Sequence, residues 1–137
     1  MRLEEIFKPI PEQSTPTFIV SFKDETGAPC TPEVLTWDLS TLDGTVIALA
    51  QSVAIPSTTN PITLTEAQTR ILNGESRKGE RLLTIHATYN SAYGIGLKTH
   101  RQVKFTIEQF TMIGYPLDVA VIEVVFTDDY LRDLAVV

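Results

Sequence analysis

A chain of 137 residues is long enough for one domain with a full core and too short for two comfortable ones. With 43% hydrophobic and 20% charged residues it falls in the ordinary globular range, which excludes wholesale disorder and fibrous repeats. A formal charge of −6 argues against a phosphate-binding surface, so nucleic acid is not an expected partner.

No apolar run approaches the roughly 20 residues of a bilayer span. The opening Met1 to Pro9 also lacks the basic start and apolar middle of a signal peptide. The expectation is a soluble, unexported chain with no membrane partner. The single cysteine, Cys30, excludes an internal disulfide and fits a reducing compartment.

Residues 1–14 form an apolar arm. Leu3, Ile6, Phe7 and Ile10 stand at i, i+3, i+4 and i+7, but Pro9, Pro11 and Pro16 stop any helix after Lys8. Such an arm docks on its own domain or on a neighbouring subunit. Thr17 to Phe22 alternates as a strand, with Phe18, Val20 and Phe22 inward, and Lys23 to Gly27 is a polar turn. After the stiff Ala28 to Pro32 connection, Leu35 to Leu39 alternates again and points Leu35, Trp37 and Leu39 inward; Trp37 is the expected anchor between two sheets. Asp43-Gly44 predicts a hairpin back into Val46 to Val53. A Ser/Thr/Asn/Pro loop then leads into the short strand Ile62 to Leu64. Thr65 with Gln68 is a capping-box pair that predicts a short helical turn over Glu66 to Leu72, closed by Asn73-Gly74.

Arg81 to Asn90 has the clearest period-2 pattern, with Leu83, Ile85, Ala87 and Tyr89 on one face and Leu82, Thr84, His86 and Thr88 on the other. Val103 to Glu108 repeats it after a connection containing Gly94 and Gly96, so the two read as a long hairpin that needs a second apolar sheet to cover it. Beyond residue 110, Val119 to Phe126 is almost wholly apolar and suits a strand buried on both faces, while Asp128 to Leu134 reads as a short helix. This strand either pairs within its own chain or completes a sheet in an adjacent subunit. The predicted class is therefore all-β: an antiparallel β-sandwich over 15–110, with an N-terminal arm (1–14) and a C-terminal extension (111–137).

No chemistry is spelled out. His86 lies on the polar face of its strand and His100 in a basic setting, and neither has metal-type spacing to Cys30. No nucleophile elbow, P-loop or dinucleotide fingerprint occurs, so the chain reads as non-enzymatic, with no cofactor and no metal. Asp24, Glu25, Asp38 and Asp43 lack the spacing of a calcium loop and read as solvated. The basic groups Arg77-Lys78-Arg81 and Lys98-His100-Arg101-Lys104 read as solvated strand ends. Among the tyrosines that offer a stacking surface, Tyr89 is core by alternation, which leaves Tyr93 as a loop contact.

The opening strand, the Gly27/Pro29 turn, the Leu35-Thr36-Trp37-Asp38-Leu39 strand, the Asp43-Gly44-Thr45-Val46-Ile47 hairpin, the Ile62-Thr63-Leu64-Thr65 link, the Arg81 to Asn90 strand and Phe105-Thr106-Ile107 together resemble the small Ig-like β-sandwich proteins among the structural genes of tailed bacteriophages. The resemblance covers roughly residues 17 to 110 and is one of pattern, not of a diagnostic motif. It implies a non-catalytic virion component, such as an accessory, decoration or head-tail connecting protein, assembled in the host cytoplasm. Its partners would be other virion proteins and copies of itself. The attachment residues expected on this reading are Leu3, Ile6, Phe7 and Ile10 in the arm, and Tyr115, Val121, Val125, Phe126, Tyr130, Leu131 and Leu134 in the C-terminal extension. Removal of residues 1–14 or 117–137 should then leave a folded sandwich that assembles poorly. The rival function is a carbohydrate- or host-surface-binding module in which Tyr93 stacks on a glycan.

Overall fold

Alternating apolar side chains set the architecture, because each strand can bury one face only if a second sheet covers it. The computed structural model describes residues 2–6, 9–24, 26–72, 74–75, 77–91, 94–109 and 119–125. In chain order the strands are β1 (Arg2–Glu5), β2 (Ile10–Pro11), β3 (Thr17–Lys23), β4 (Val34–Thr41), β5 (Val46–Ser52), β6 (Thr59–Thr63), β7 (Lys78–Ser91), β8 (Gly94–Glu108) and β9 (Val119–Val125). The larger sheet runs β1-β8-β7-β4-β5 with β2 also on β8, and the smaller runs β6-β3-β9.

Phe18, Val20 and Phe22 of β3, Ile62 of β6 and Ile122 of β9 face Leu35, Trp37, Leu39, Leu83, Ile85, Ala87, Val103, Phe105 and Ile107 of the larger sheet in one core. The Phe18 and Phe105 rings meet across it, tilted, with centroids 5.2 Å apart. Trp37 is buried there, as its place in the alternation predicts.

The predicted antiparallel order holds for β4, β5, β7 and β8 and for β3 with β6. It does not extend to the ends of the chain. β1 and β2 both lie parallel to β8, and β9 lies parallel to β3 over seven residue pairs, so both sheets are mixed. Pro9 and Pro11 suit the N-terminal segment to an edge position, where a missing N–H breaks no central ladder. The Ile6 N–H still donates to the Lys104 carbonyl and the Glu12 N–H to that of Glu108, both at 2.8 Å.

The predicted helical turn takes a different form. Its capping box is present: the Thr65 N–H donates to Gln68 Oε1 at 2.8 Å and the Gln68 N–H to Thr65 Oγ1 at 3.2 Å. One turn closes, from the Thr69 N–H to the Thr65 carbonyl, yet no helix forms among the described residues. The groups a second turn requires are already engaged. Arg81 takes the Arg70 carbonyl, and the Leu72 N–H, which would bond back to Gln68, instead donates to Glu75 Oε1 at 2.8 Å. The short helix predicted over Asp128 to Leu134 lies outside the described residues.

At the β4–β5 turn the Asp43 carboxylate accepts from the Thr41 hydroxyl and from the Thr45 N–H and hydroxyl, and Gly44 takes a φ of 97°. β5 then pairs irregularly with β4, with register shifts on either side of Leu39. Ala50 adopts a φ of 51° there, and its N–H is held by Asp38 Oδ1 at 2.6 Å.

Candidate functional site

Ile10 is fully buried in the chain's own core, and Ile6 packs against that core half-buried. Leu3 pairs with Gln102 in β1, and Val125 with Lys23 in β9, through their backbones. Val121 is the expected attachment residue that stands out, 70% exposed on β9, which among the described residues is an edge strand of the smaller sheet. Phe7, Tyr93, Tyr115, Phe126, Tyr130, Leu131 and Leu134 lie outside the described residues. Tyr89 is core, and Asn90 serves the hairpin: its Nδ2 donates to Glu33 Oε1 and its Oδ1 accepts the Gly96 N–H, both at 2.9 Å.

Neither basic group is simply a solvated strand end, because each carries a buried arginine. Arg81 points into the core face of β7, its side chain 0% exposed, and makes a two-point ion pair with Glu75 at 2.7 Å through each terminal nitrogen. Its remaining bonds go to the carbonyls of Glu80 and Arg70. The Arg81 guanidinium, through its hydrogen bonds and charge, holds the Glu75 carboxyl below the ordinary range against the opposing push of desolvation. Arg101 is likewise buried, whereas Lys104 reaches Glu5 at 3.1 Å and Glu80 at 3.6 Å.

The Arg81 pair explains a glycine. A β-carbon on Gly79 would fall inside contact distance of the Glu75 carboxylate and 2.6 Å from Arg81 Nη1. Since Arg81 has no exposed route of retreat, Gly79→Ala is expected to destabilise by about 1–3 kcal/mol, the range of an overpacked core, despite alanine's better backbone entropy. Urea unfolding checks this, and a neutral or stabilised variant would show that the ion pair yields freely.

The outward face of the larger sheet carries a polar chain no spacing rule suggested. β7 and β8 pair so that His86 lies directly opposite His100, and Asp38 of β4 is diagonal to His86, being registered with Thr84. His86 Nε2 is 2.6 Å from Asp38 Oδ2, and His86 Nδ1 is 2.6 Å from His100 Nδ1, with the two rings nearly perpendicular at 80°. Asp38 is an acceptor, so in the neutral form of His86 the hydrogen lies on Nε2 and the lone pair on Nδ1, where it accepts from His100 Nδ1. Burial, then the His86 ring and the Lys98 ammonium, hold the His100 imidazole below its ordinary value. Desolvation pushes the Asp38 carboxyl up, but the Ala50 N–H and the His86 ring outweigh it and leave it below the ordinary range.

Of the carboxylates weighed for calcium, the three described ones, Asp24, Asp38 and Asp43, are engaged separately. Asp24 accepts from the Thr26 N–H and hydroxyl and from the Ala28 N–H, Asp43 closes its own turn, and Glu25 lies outside the described residues. Among the described residues no three His, Cys, Asp or Glu side chains are grouped to hold a metal.

No protein-family model matches this chain, and no curated protein matches it. The site therefore stands on geometry. Its two histidines fall by alternation at outward positions of one hairpin. What alternation alone lacks is the register. A slip of one residue would set His86 against Thr99 or Arg101, which face the other way.

Proposed function

We propose that this chain is a non-catalytic Ig-like β-sandwich subunit that works through subunit–subunit contacts, as a structural component of a tailed-phage virion. Two facing sheets with Trp37 at their contact support the Ig-like reading. The observation that carries the attachment reading is the edge strand β9. It pairs on one side with β3 and presents Val121, an apolar β-branched side chain that gains little by standing in water. Val46 and Leu49 on the opposite sheet's edge strand β5 add exposed apolar surface, although the register shifts beside Leu39 make β5 a poorer template for strand addition.

The partners on this reading are other virion proteins and further copies of the chain, in a particle assembled in the host cytoplasm. Val121→Lys is the direct test. The exposed position tolerates lysine without loss of fold, so circular dichroism and unfolding midpoint should stay unchanged. Self-association, or incorporation into particles followed by light scattering and electron microscopy, should fall. Wild-type assembly by the lysine variant would overturn the attachment reading, and saturable binding on a glycan array would favour a carbohydrate-binding module instead.

A further inference from the structure

The geometry points to a site for one divalent transition-metal ion of the zinc, nickel or copper class on the outer face of the larger sheet, ligated by the Nδ1 atoms of His86 and His100, with Asp38 as the orienting carboxylate. Three observations converge on it. The two Nδ1 atoms face each other at 2.6 Å from neighbouring strands, so the backbone register has already brought both donors together. Asp38 accepts from His86 Nε2, which fixes the tautomer whose Nδ1 lone pair faces His100; a carboxylate on the far nitrogen of a ligating imidazole is the usual outer support of such ions. Asp38 is itself held, because its other oxygen accepts the Ala50 N–H at 2.6 Å.

Little movement is needed to admit the ion. With metal–nitrogen bonds of about 2.0–2.1 Å and tetrahedral angles, the two donors stand roughly 3.4 Å apart, so they must separate by less than about 1 Å. The His86 side chain is 33% exposed, and rotation of two surface rings supplies that separation without moving either strand. The His100 proton moves to Nε2, and both rings stay neutral. Water completes the coordination. Two imidazole nitrogens select borderline ions over magnesium or calcium, which prefer oxygen. Among the described residues, the charged neighbours on this face include Asp38, which favours a cation, Lys98, which opposes one, and Lys104, which is engaged by Glu5 and Glu80. Two protein ligands bind more weakly than the four of a structural zinc site, so the ion is an exchangeable one and the fold does not depend on it.

Calorimetric titration of the full-length, tag-free chain with zinc chloride and with nickel chloride tests this. The expected result is saturable uptake of one ion per chain, no uptake of magnesium, and loss of uptake in His100→Ala and in the bulkier His100→Gln, with circular dichroism unchanged. Asp38→Asn should weaken binding about ten- to a hundredfold at unchanged stoichiometry, because an amide N–H facing Nε2 drives the ring proton onto Nδ1 and occupies the lone pair. Cys30→Ser should bind as the unaltered chain does. The proposal is overturned if there is no saturable uptake, if uptake survives both His100 variants, or if Cys30→Ser abolishes it.

Discussion

Glu75→Ala is expected to cost about 3–5 kcal/mol of stability, because it leaves a guanidinium buried without its counter-charge. The asymmetry of the pair decides which partner matters more. Arg81 is fully buried and cannot reach water, whereas Glu75 keeps 21% of its side chain exposed and can turn outward if the arginine is removed. Arg81→Met should therefore be milder than Glu75→Ala, since methionine fills much of the same volume with no charge to satisfy. The double variant should recover most of the loss, as neither charge remains. Urea unfolding of the three variants measures the cycle. A Glu75→Ala cost below ~1 kcal/mol, the range of an exposed pair, would mean that Arg81 is solvated in solution.

The same pair has a pH signature. The folded-state pKa of Glu75 is lowered from its ordinary value of 4.5, so its contribution is present above that value and is lost as pH falls through the folded-state pKa. Glu75→Gln should remove this part of the acid limb of the stability curve, leaving a flatter profile below the ordinary value.

Ile10→Ala should destabilise the chain by about 2–5 kcal/mol, the range for deleting a fully buried aliphatic side chain. Deletion of residues 1–14 should do more. It removes Ile10 and Ile6 from the core, the backbone bonds to Lys104 and Glu108, and the contact between Ser14 and the buried Thr69, whose hydroxyl accepts the Ser14 N–H at 3.0 Å and donates to the Ser14 carbonyl at 2.8 Å. It also uncovers the edge of β8, a long strand whose free backbone groups would template aggregation. This departs from the expectation, drawn from sequence alone, that the arm can be removed without harm to the sandwich. Differential scanning calorimetry and light scattering on the truncated chain distinguish the two outcomes. Native stability after the deletion would return the arm to the role of a free attachment element.

Much of this molecule could be read from its residues in order. Phe18-Val20-Phe22, Leu35-Trp37-Leu39, Leu83-Ile85-Ala87 and Val103-Phe105-Ile107 all face inward as their alternation predicts, since a strand's side-chain period is a local property of the extended backbone. The Asp43-Gly44 turn and the Thr65/Gln68 box were equally local. Three features needed the tertiary structure. Arg81 alternates with Leu83 and Ile85 onto the inner face, but only the approach of Glu75 makes a buried charge tolerable there. The arm carries a helical stripe, and the vacant edge of β8 draws it into a parallel strand instead. His86, His100 and Asp38 come from three strands, and nothing local records which rungs they share. Period 2 specifies the face of every strand and is silent on partner and register, which the packing of the whole chain decides.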